Sequence, residues 1–193
     1  MKSSNKIIIS VAALIIIAVA YRFIPLPKGV YGFTPMFAMA IFGGAIFRKD
    51  KKFAFILPLA AMFLSDIIFQ ILYKAGKSSI AGFYEGQWLN YILYAITVCV
   101  GFFIKRINVI NVTLAAIAAP TLFYILSNFS YWAVSQHFYN EHNTLAVSMQ
   151  DYINGLPFYI PWSIVSTILY SGILFCAFYG GQSFSVKKVA VSH

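Results

Sequence analysis

The chain has 193 residues, of which 61% are hydrophobic and only 10% are charged. Soluble domains average about half apolar residues and about a quarter charged ones, so this chain has too little polar surface to fold in water and belongs in a bilayer. The formal charge of +9 comes from 14 basic and 5 acidic side chains. Because the basic residues form short clusters between apolar segments, we interpret them as signals of membrane topology, and we expect no nucleic-acid binding.

Six apolar segments predict an all-α, polytopic membrane protein: a bundle of six transmembrane helices forming a single transmembrane domain over residues 1–193. Most segments approach the twenty or so residues that a spanning helix needs. The first segment follows MKSSNK and contains an A-x-A at 18–20, so cleavage of a signal peptide after Ala20 is an alternative to an uncleaved helix. We favour the uncleaved helix because the apolar run continues to Ile24. The six segments are 7–24, 31–47, 53–73, 86–104, 109–135 and 152–180.

The basic clusters predict the orientation of the bundle. With six crossings, all four clusters fall on one side, which the positive-inside rule makes cytoplasmic. Both termini are then cytoplasmic, and the expected location is the cell inner membrane. The clusters are Lys2 with Lys6, RKDKK at 48–52, Lys105 with Arg106, and Lys187 with Lys188.

The second segment has two interpretations. Thr34 followed by Pro35 is typical of a helix start, with a hydroxyl cap and a proline in the first turn. A helix over 35–47 would be about 20 Å long, shorter than the roughly 30 Å apolar core of a bilayer. Residues 31–33 would then be coil, which is tolerated at that depth only against protein or a wet cavity. Alternatively, the helix starts near Val30 and Pro35 is a mild kink.

Asp66 lies inside the third apolar segment, where a carboxylate costs about 2.5 kcal/mol or more to insert. Other polar and aromatic side chains are predicted in the same outer half of the bilayer, so we expect a substrate-binding cavity that opens to the outside. Aromatic rings beside amides and hydroxyls suit a flat heterocyclic ligand. The alternatives are a structural, hydrogen-bonded or protonated carboxyl for Asp66 and ordinary interhelical hydrogen bonds for the asparagines. The predicted site residues are Phe33, Thr34, Asp66, Gln70, Asn90, Tyr94, Asn128 and Trp162.

Two pairs of small residues indicate close helix contacts. Ala40 with Gly44, and Ala115 with Ala119, are four residues apart, a spacing that permits close approach of helix backbones. Such pairs serve packing within a bundle or docking of a partner, and for Ala40 and Gly44 we consider both.

No motif for catalysis, metal binding or ATP hydrolysis is present in the sequence. The histidines in HFYNEH at 137–142 match neither HExxH nor a zinc-ribbon spacing. The fragment Gly76-Lys77-Ser78 lacks the first glycine of a Walker A motif. Cys99 and Cys176 lie in apolar segments and are expected to be packing residues. We therefore expect no enzyme activity, no cofactor and no metal site.

The stretch FTPMFAMAIFGGAIFRKDKKFAFILPLAAMFLSD at 33–66 resembles a family of small bacterial membrane proteins of unknown activity that are assigned to transport. In layout the chain is also similar to the S components of energy-coupling factor (ECF) vitamin transporters. That resemblance implies a solute cavity near the outer face containing Asp66, Asn90 and Asn128, with a lid over 25–34. It also implies a separate transmembrane coupling subunit with ATPases. One departure is that residues 7–24 contain no small pair spaced by four, which S components often use for docking.

From these observations we expect a membrane-embedded substrate-binding component for uptake of a small organic, vitamin-like solute. Asp66 would bind a cationic or hydrogen-bond-donating group of that solute. The alternatives are a small secondary transporter or channel that works alone, with Asp66 as its proton or cation site, and a non-catalytic membrane assembly subunit.

Overall fold

The computed structural model describes residues 14–24, 26–138 and 145–190, and side chains within 14–24, 26–133 and 149–179. In these residues all regular secondary structure is helical, which confirms the predicted all-α class. The predicted helix start at residue 7 and most of the 137–142 stretch lie outside the described residues. The helices are α1 (14–21), α2 (Met36–Ile46), α3 (Lys51–Lys74), α4 (Gln87–Phe102), α5 (Val109–Phe138), α6 (Leu145–Tyr159) and α7 (Trp162–Ala190).

Three helices are long and apolar enough to cross a membrane: α3, the part of α5 over Val109–Ala133, and the part of α7 over Trp162–Tyr179. Helices α2 and α4 are shorter but also apolar. These properties indicate a membrane protein, as the composition predicts.

Helix α2 lies at the centre of the bundle, in contact with α3, α4, α5 and α7. Ten of its eleven residues are buried, as expected for a helix that is apolar on every face. It begins at Met36, whose backbone N–H donates to Thr34 Oγ1 at 3.3 Å. The structure therefore has the short helix, about 16 Å long at 1.5 Å per residue, preceded by coil at 31–34.

The small residues of α2 pack against α4. A Cβ placed on Gly44 would lie 2.9 Å from the Cα of Gly101, so only glycines allow these two backbones to come this close. Ala40 is fully buried as well. The pair therefore packs inside the bundle, and neither residue offers exposed surface on which a partner could dock.

The predicted single helix over 152–180 is wrong, because two helices, α6 and α7, meet there. Pro161 separates them: it has no N–H to donate, and its ring disfavours helical geometry at Ile160. The Ile160–Pro161 peptide bond is cis. The Pro161 carbonyl accepts from Val165 N–H at 3.0 Å and so opens the hydrogen-bond ladder of α7. Hence the described residues form seven helices, where the sequence predicts six.

Candidate functional site

Asp66 lies on the inner face of α3, with only 1% of its surface exposed. Its Oδ1 accepts from Arg22 Nη1 at 2.8 Å. Its Oδ2 accepts from Gln87 Nε2 at 2.6 Å and from the Tyr91 hydroxyl at 2.7 Å. Both carboxylate oxygens are thus hydrogen-bonded, which offsets the desolvation that an unpaired buried charge would suffer.

Arg22 follows the end of α1 and is the cation that balances Asp66. Its Nη1 also contacts Ser65 Oγ, and the Met62 carbonyl lies 3.4 Å away. The guanidinium carbon lies 5.4 Å from the ring centre of Phe69, within cation–π range. Arg22 is not among the residues that the sequence predicts for the site, although it lies near the end of the first predicted segment, 7–24.

A polar cavity of about 330 Å³ adjoins this ion pair. Its walls include Arg22 and Asp66, with Asn90 and Tyr94 from α4, and the 75–86 loop contributes Tyr84. Asn90 Nδ2 donates to the Tyr84 hydroxyl at 2.6 Å. Partial burial raises the pKa of Tyr84 above its usual value, so its hydroxyl remains protonated at neutral pH.

An aromatic cavity of about 290 Å³ lies among α2, α4, α5, α6 and α7. Tyr124 and Tyr159 stack on its wall with ring centres 4.6 Å apart and planes 10° apart. Phe37 stacks on Tyr94 at 5.3 Å. Ring faces arranged in this way favour a flat apolar group.

The two cavities are neighbours, because Thr34, Tyr94 and Phe123 line both. The rings of Tyr94 and Phe123 are 4.9 Å apart and form much of the shared wall. The polar cavity supplies charge and hydrogen bonds, whereas the aromatic cavity supplies ring faces.

Five of the eight predicted site residues line these cavities. Asp66 and Asn90 line the polar cavity, Asn128 lines the aromatic cavity, and Thr34 and Tyr94 line both. Residues of α3, α4 and α5 and of the coil before α2 therefore come together, as their predicted depth along the chain indicates.

The remaining three predicted residues, Gln70, Trp162 and Phe33, line neither cavity. Gln70 Oε1 accepts from the Phe83 N–H at 3.0 Å and so holds the 75–86 loop over α3. Trp162 Nε1 donates to the Gly29 carbonyl at 3.0 Å. Phe33 packs its ring against Tyr21, Trp162 and Tyr170. These residues position the loops beside the cavities.

Two loops lie next to the cavities and press closely on the helices. A Cβ on Gly82 would overlap the backbone carbonyl of Asp66, and one on Gly32 would overlap the carbonyl of Phe158. Gly32 also has φ +71°, which favours glycine. Ser163 Oγ donates to the Gly32 carbonyl at 3.1 Å. The resemblance assigns 25–34 to a lid, and residue 25 lies outside the described residues. The described part, 26–34, is thus fastened to the start of α7.

Among the residues that the structure describes, no group of three or more His, Cys, Asp or Glu could hold a metal ion. The walls of the two cavities offer hydrogen bonds, one paired charge and aromatic faces. That chemistry suits reversible binding of a small organic molecule.

No curated protein and no solved structure matches this chain. The resemblance to ECF S components therefore stays a prediction. One family matches residues 2–188, which is nearly the whole chain. This match confirms the expectation of an uncharacterised family: the protein belongs to the family of unknown function DUF6580.

Proposed function

We propose that this protein is a membrane-embedded solute-binding component for uptake of a small organic, vitamin-like molecule. The observation that carries the proposal is the ion pair between the buried Asp66 and the partly exposed Arg22, on the wall of a 330 Å³ cavity that adjoins an aromatic one. Small-molecule sites are concave, mostly apolar, and have a few convergent polar groups, with volumes of about 300–1,000 Å³.

The placement of the ion pair supports binding over simple stabilisation. A buried ion pair is often no more stabilising than apolar residues of similar volume, and ionisable groups in membrane segments are expensive to keep. Here the pair is not enclosed by packing: the Arg22 side chain is 29% exposed and lines the polar cavity. A ligand-binding role accounts for charges at that position.

In the proposed mechanism the solute enters from the outer face, past the 26–34 and 75–86 loops. The hydrogen bonds from Trp162 to Gly29 and from Phe83 to Gln70 hold these loops to the helices. Each is worth about 1 kcal/mol net, and the proposed mechanism requires these bonds, with the packing around Gly32 and Gly82, to break when a loop opens. We further propose an inner-membrane location, six crossings with cytoplasmic termini, and a separate coupling subunit with ATPases that supplies energy.

Binding is tested on the purified full-length protein in detergent, by thermal-shift measurement against a broad library of small solutes. Native mass spectrometry of the same preparation detects co-purified molecules. The variant Ser127→Trp fills the aromatic cavity, which Ser127 lines. Ile125→Trp, an exposed position on the same helix, is its control. We expect a solute-dependent rise in melting temperature that Ser127→Trp abolishes and Ile125→Trp keeps.

Two outcomes would contradict the proposal: no solute stabilises the protein, or the cavity-filling variant binds as well as its control. Uptake into liposomes that contain only this protein would instead identify a transporter that works alone. Uptake that requires a second subunit with an ATPase would support the binding component.

A further inference from the structure

We propose that the polar cavity receives a carboxylate of the solute through Arg22, and that Asp66 positions Arg22 without contacting the solute. This inference rests on the proposed solute-binding function. It reverses the expectation that Asp66 binds a cationic group, and it narrows the ligand to a ring compound that carries an acid.

Arg22 uses one edge of its guanidinium within the protein. Among the described residues, every hydrogen bond from Arg22 leaves from Nη1, toward Asp66, Ser65 and the Met62 carbonyl. The N–H groups of Nε and Nη2 have no acceptor in the described part of the chain. A guanidinium presents its donors in a fixed fork that matches the two oxygens of a carboxylate. Because Arg22 lines the polar cavity, those donors are what it has left to offer a ligand.

Asp66, in contrast, has little capacity left to bind a solute. Its side chain is 2% exposed, and its two oxygens accept from Arg22, Gln87 and Tyr91 at 2.6–2.8 Å. A cationic solute could reach only the remaining lone pair of Oδ1, on a nearly buried side chain. Otherwise it would have to displace one of these donors and leave it without a partner, which is costly. The bonds from Gln87 and Tyr91 also draw charge from the carboxylate, which weakens its repulsion of a second anion.

Several of the remaining polar groups of the cavity have a hydrogen-bond donor that the protein does not use. Asn90 Nδ2 donates its two hydrogens to the Tyr84 hydroxyl and to Gln87 Oε1. Thr34 Oγ1 accepts from the Met36 N–H. Within the described residues, the hydroxyl hydrogens of Thr34, Tyr84 and Tyr94 have no acceptor. Together with Arg22, four side chains of the cavity therefore have hydrogen-bond donors without an acceptor in the described residues. Such a site fits a ligand group that is rich in acceptor oxygens.

The adjoining aromatic cavity defines the rest of the ligand. Tyr94 and Phe123 line both cavities and lie 4.9 Å apart. A carboxylate held at Arg22 therefore places an attached ring against these side chains. The two cavity volumes, about 330 and 290 Å³, limit the ligand to a small ring-bearing acid.

The test uses matched probes on the full-length protein in detergent. Indole-3-acetate is compared with its amide, indole-3-acetamide, and with the amine tryptamine, and further ring-bearing acids are each compared with their own amide and amine. Affinities are measured by isothermal titration calorimetry. We expect at least one acid to bind about tenfold or more tightly than its amide and amine.

Variants separate the two members of the ion pair. Arg22→Lys keeps a cation beside Asp66 but loses the fork, and we expect it to weaken acid binding about tenfold while leaving the amide unchanged. Asp66→Asn removes the charge that holds Arg22 and places an amide N–H group among the Gln87 and Tyr91 donors. We therefore expect it to weaken acid binding several-fold and to leave amide binding unchanged, and unchanged acid binding would overturn the positioning role. If either variant fails to fold, Tyr84→Phe removes a donor from an exposed loop residue and should weaken acid binding several-fold.

The outcomes distinguish this inference from the proposed function. Preferred binding of amines, with loss in Asp66→Asn, overturns the carboxylate assignment and leaves solute binding intact. The carboxylate assignment is also overturned if neutral solutes from the broad library bind and no ring-bearing acid binds. Failure of every solute in that library overturns the proposed function itself.

Discussion

Removal of Arg22 tests how strongly the ion pair with Asp66 fastens α1 to α3. In Arg22→Met, the Asp66 carboxylate, only 2% exposed, keeps Gln87 and Tyr91 but loses its cation. Breaking a buried pair from one side costs about 3–5 kcal/mol. Because Arg22 itself is 29% exposed, we take the lower end, about 3 kcal/mol of unfolding free energy. Asp66→Leu should cost a similar amount, since it leaves three donors without an acceptor.

The double variant Arg22→Met/Asp66→Leu has no unpaired charge, so we expect it to cost no more than either single variant. The two sites are then coupled by about 3 kcal/mol, the upper end for contacting residues. The free energy of unfolding is measured by SDS titration of the purified protein in mixed micelles. Lys74→Met, at the exposed end of α3, is the control and should change stability by less than about 0.5 kcal/mol. A coupling below about 0.5 kcal/mol would refute a desolvated, structure-holding ion pair.

Three further perturbations test the packing, the loop and the topology. Gly44→Ala puts a methyl group against the α4 backbone and should lower the free energy of unfolding by about 1–3 kcal/mol. Gly172→Ala is the control: its Cβ meets nothing within 4 Å, so the free energy of unfolding should rise by about 0.5–1 kcal/mol. Thermal unfolding in detergent measures both effects. Trp162→Phe loses the hydrogen bond from the indole N–H to the 26–34 loop. Amide hydrogen exchange in that loop, measured by mass spectrometry, should become several-fold faster. In a cysteine-free background, Lys77→Cys should react with a membrane-impermeant maleimide in intact cells, and Lys49→Cys only after permeabilisation.

Each of these expectations has an outcome that contradicts it. Equal effects of alanine at the two glycines would mean that the contact between α2 and α4 is not tight. Unchanged exchange over 26–34 would mean that other contacts hold this loop. Labelling of Lys49→Cys in intact cells would reverse the predicted orientation.

The spanning helices could be predicted from the sequence because their limits are chemically sharp. RKDKK at 48–52 and the polar stretch from Lys74 bound the third segment, and the observed helix is Lys51–Lys74. The start of α2 could be narrowed to two choices by Thr34 and Pro35, which restrict the backbone locally. The break between α6 and α7 was hidden because Pro161 lies among apolar residues that continue the hydropathy of one long segment.

Part of the site could be predicted, and its central contact could not. Depth along each helix depends only on rise per residue, so Asp66, Asn90 and Asn128 could be assigned to one level of the bilayer. The partner of Asp66 could not be found in this way, because Arg22 lies 44 residues earlier, just after the end of α1. Neither periodicity nor spacing within one segment indicates which helices pack side by side. Likewise, Gln70 and Trp162 have the right chemistry and depth, but their hydrogen bonds go to loop backbone.

The short central helix and the cavities have a common cause. Helix α2 has eleven residues, about 16 Å at helical rise, so it covers only about half of an apolar bilayer core of about 30 Å. The chain before it is coil, and Thr34, two residues before the helix begins, lines both cavities. Irregular backbone at membrane depth is stable only where protein or a polar space satisfies it. Ser163, Tyr21 and Trp162 donate hydrogen bonds to the carbonyls of this coil, so part of its backbone is satisfied without a longer helix, beside the cavities that Thr34 lines.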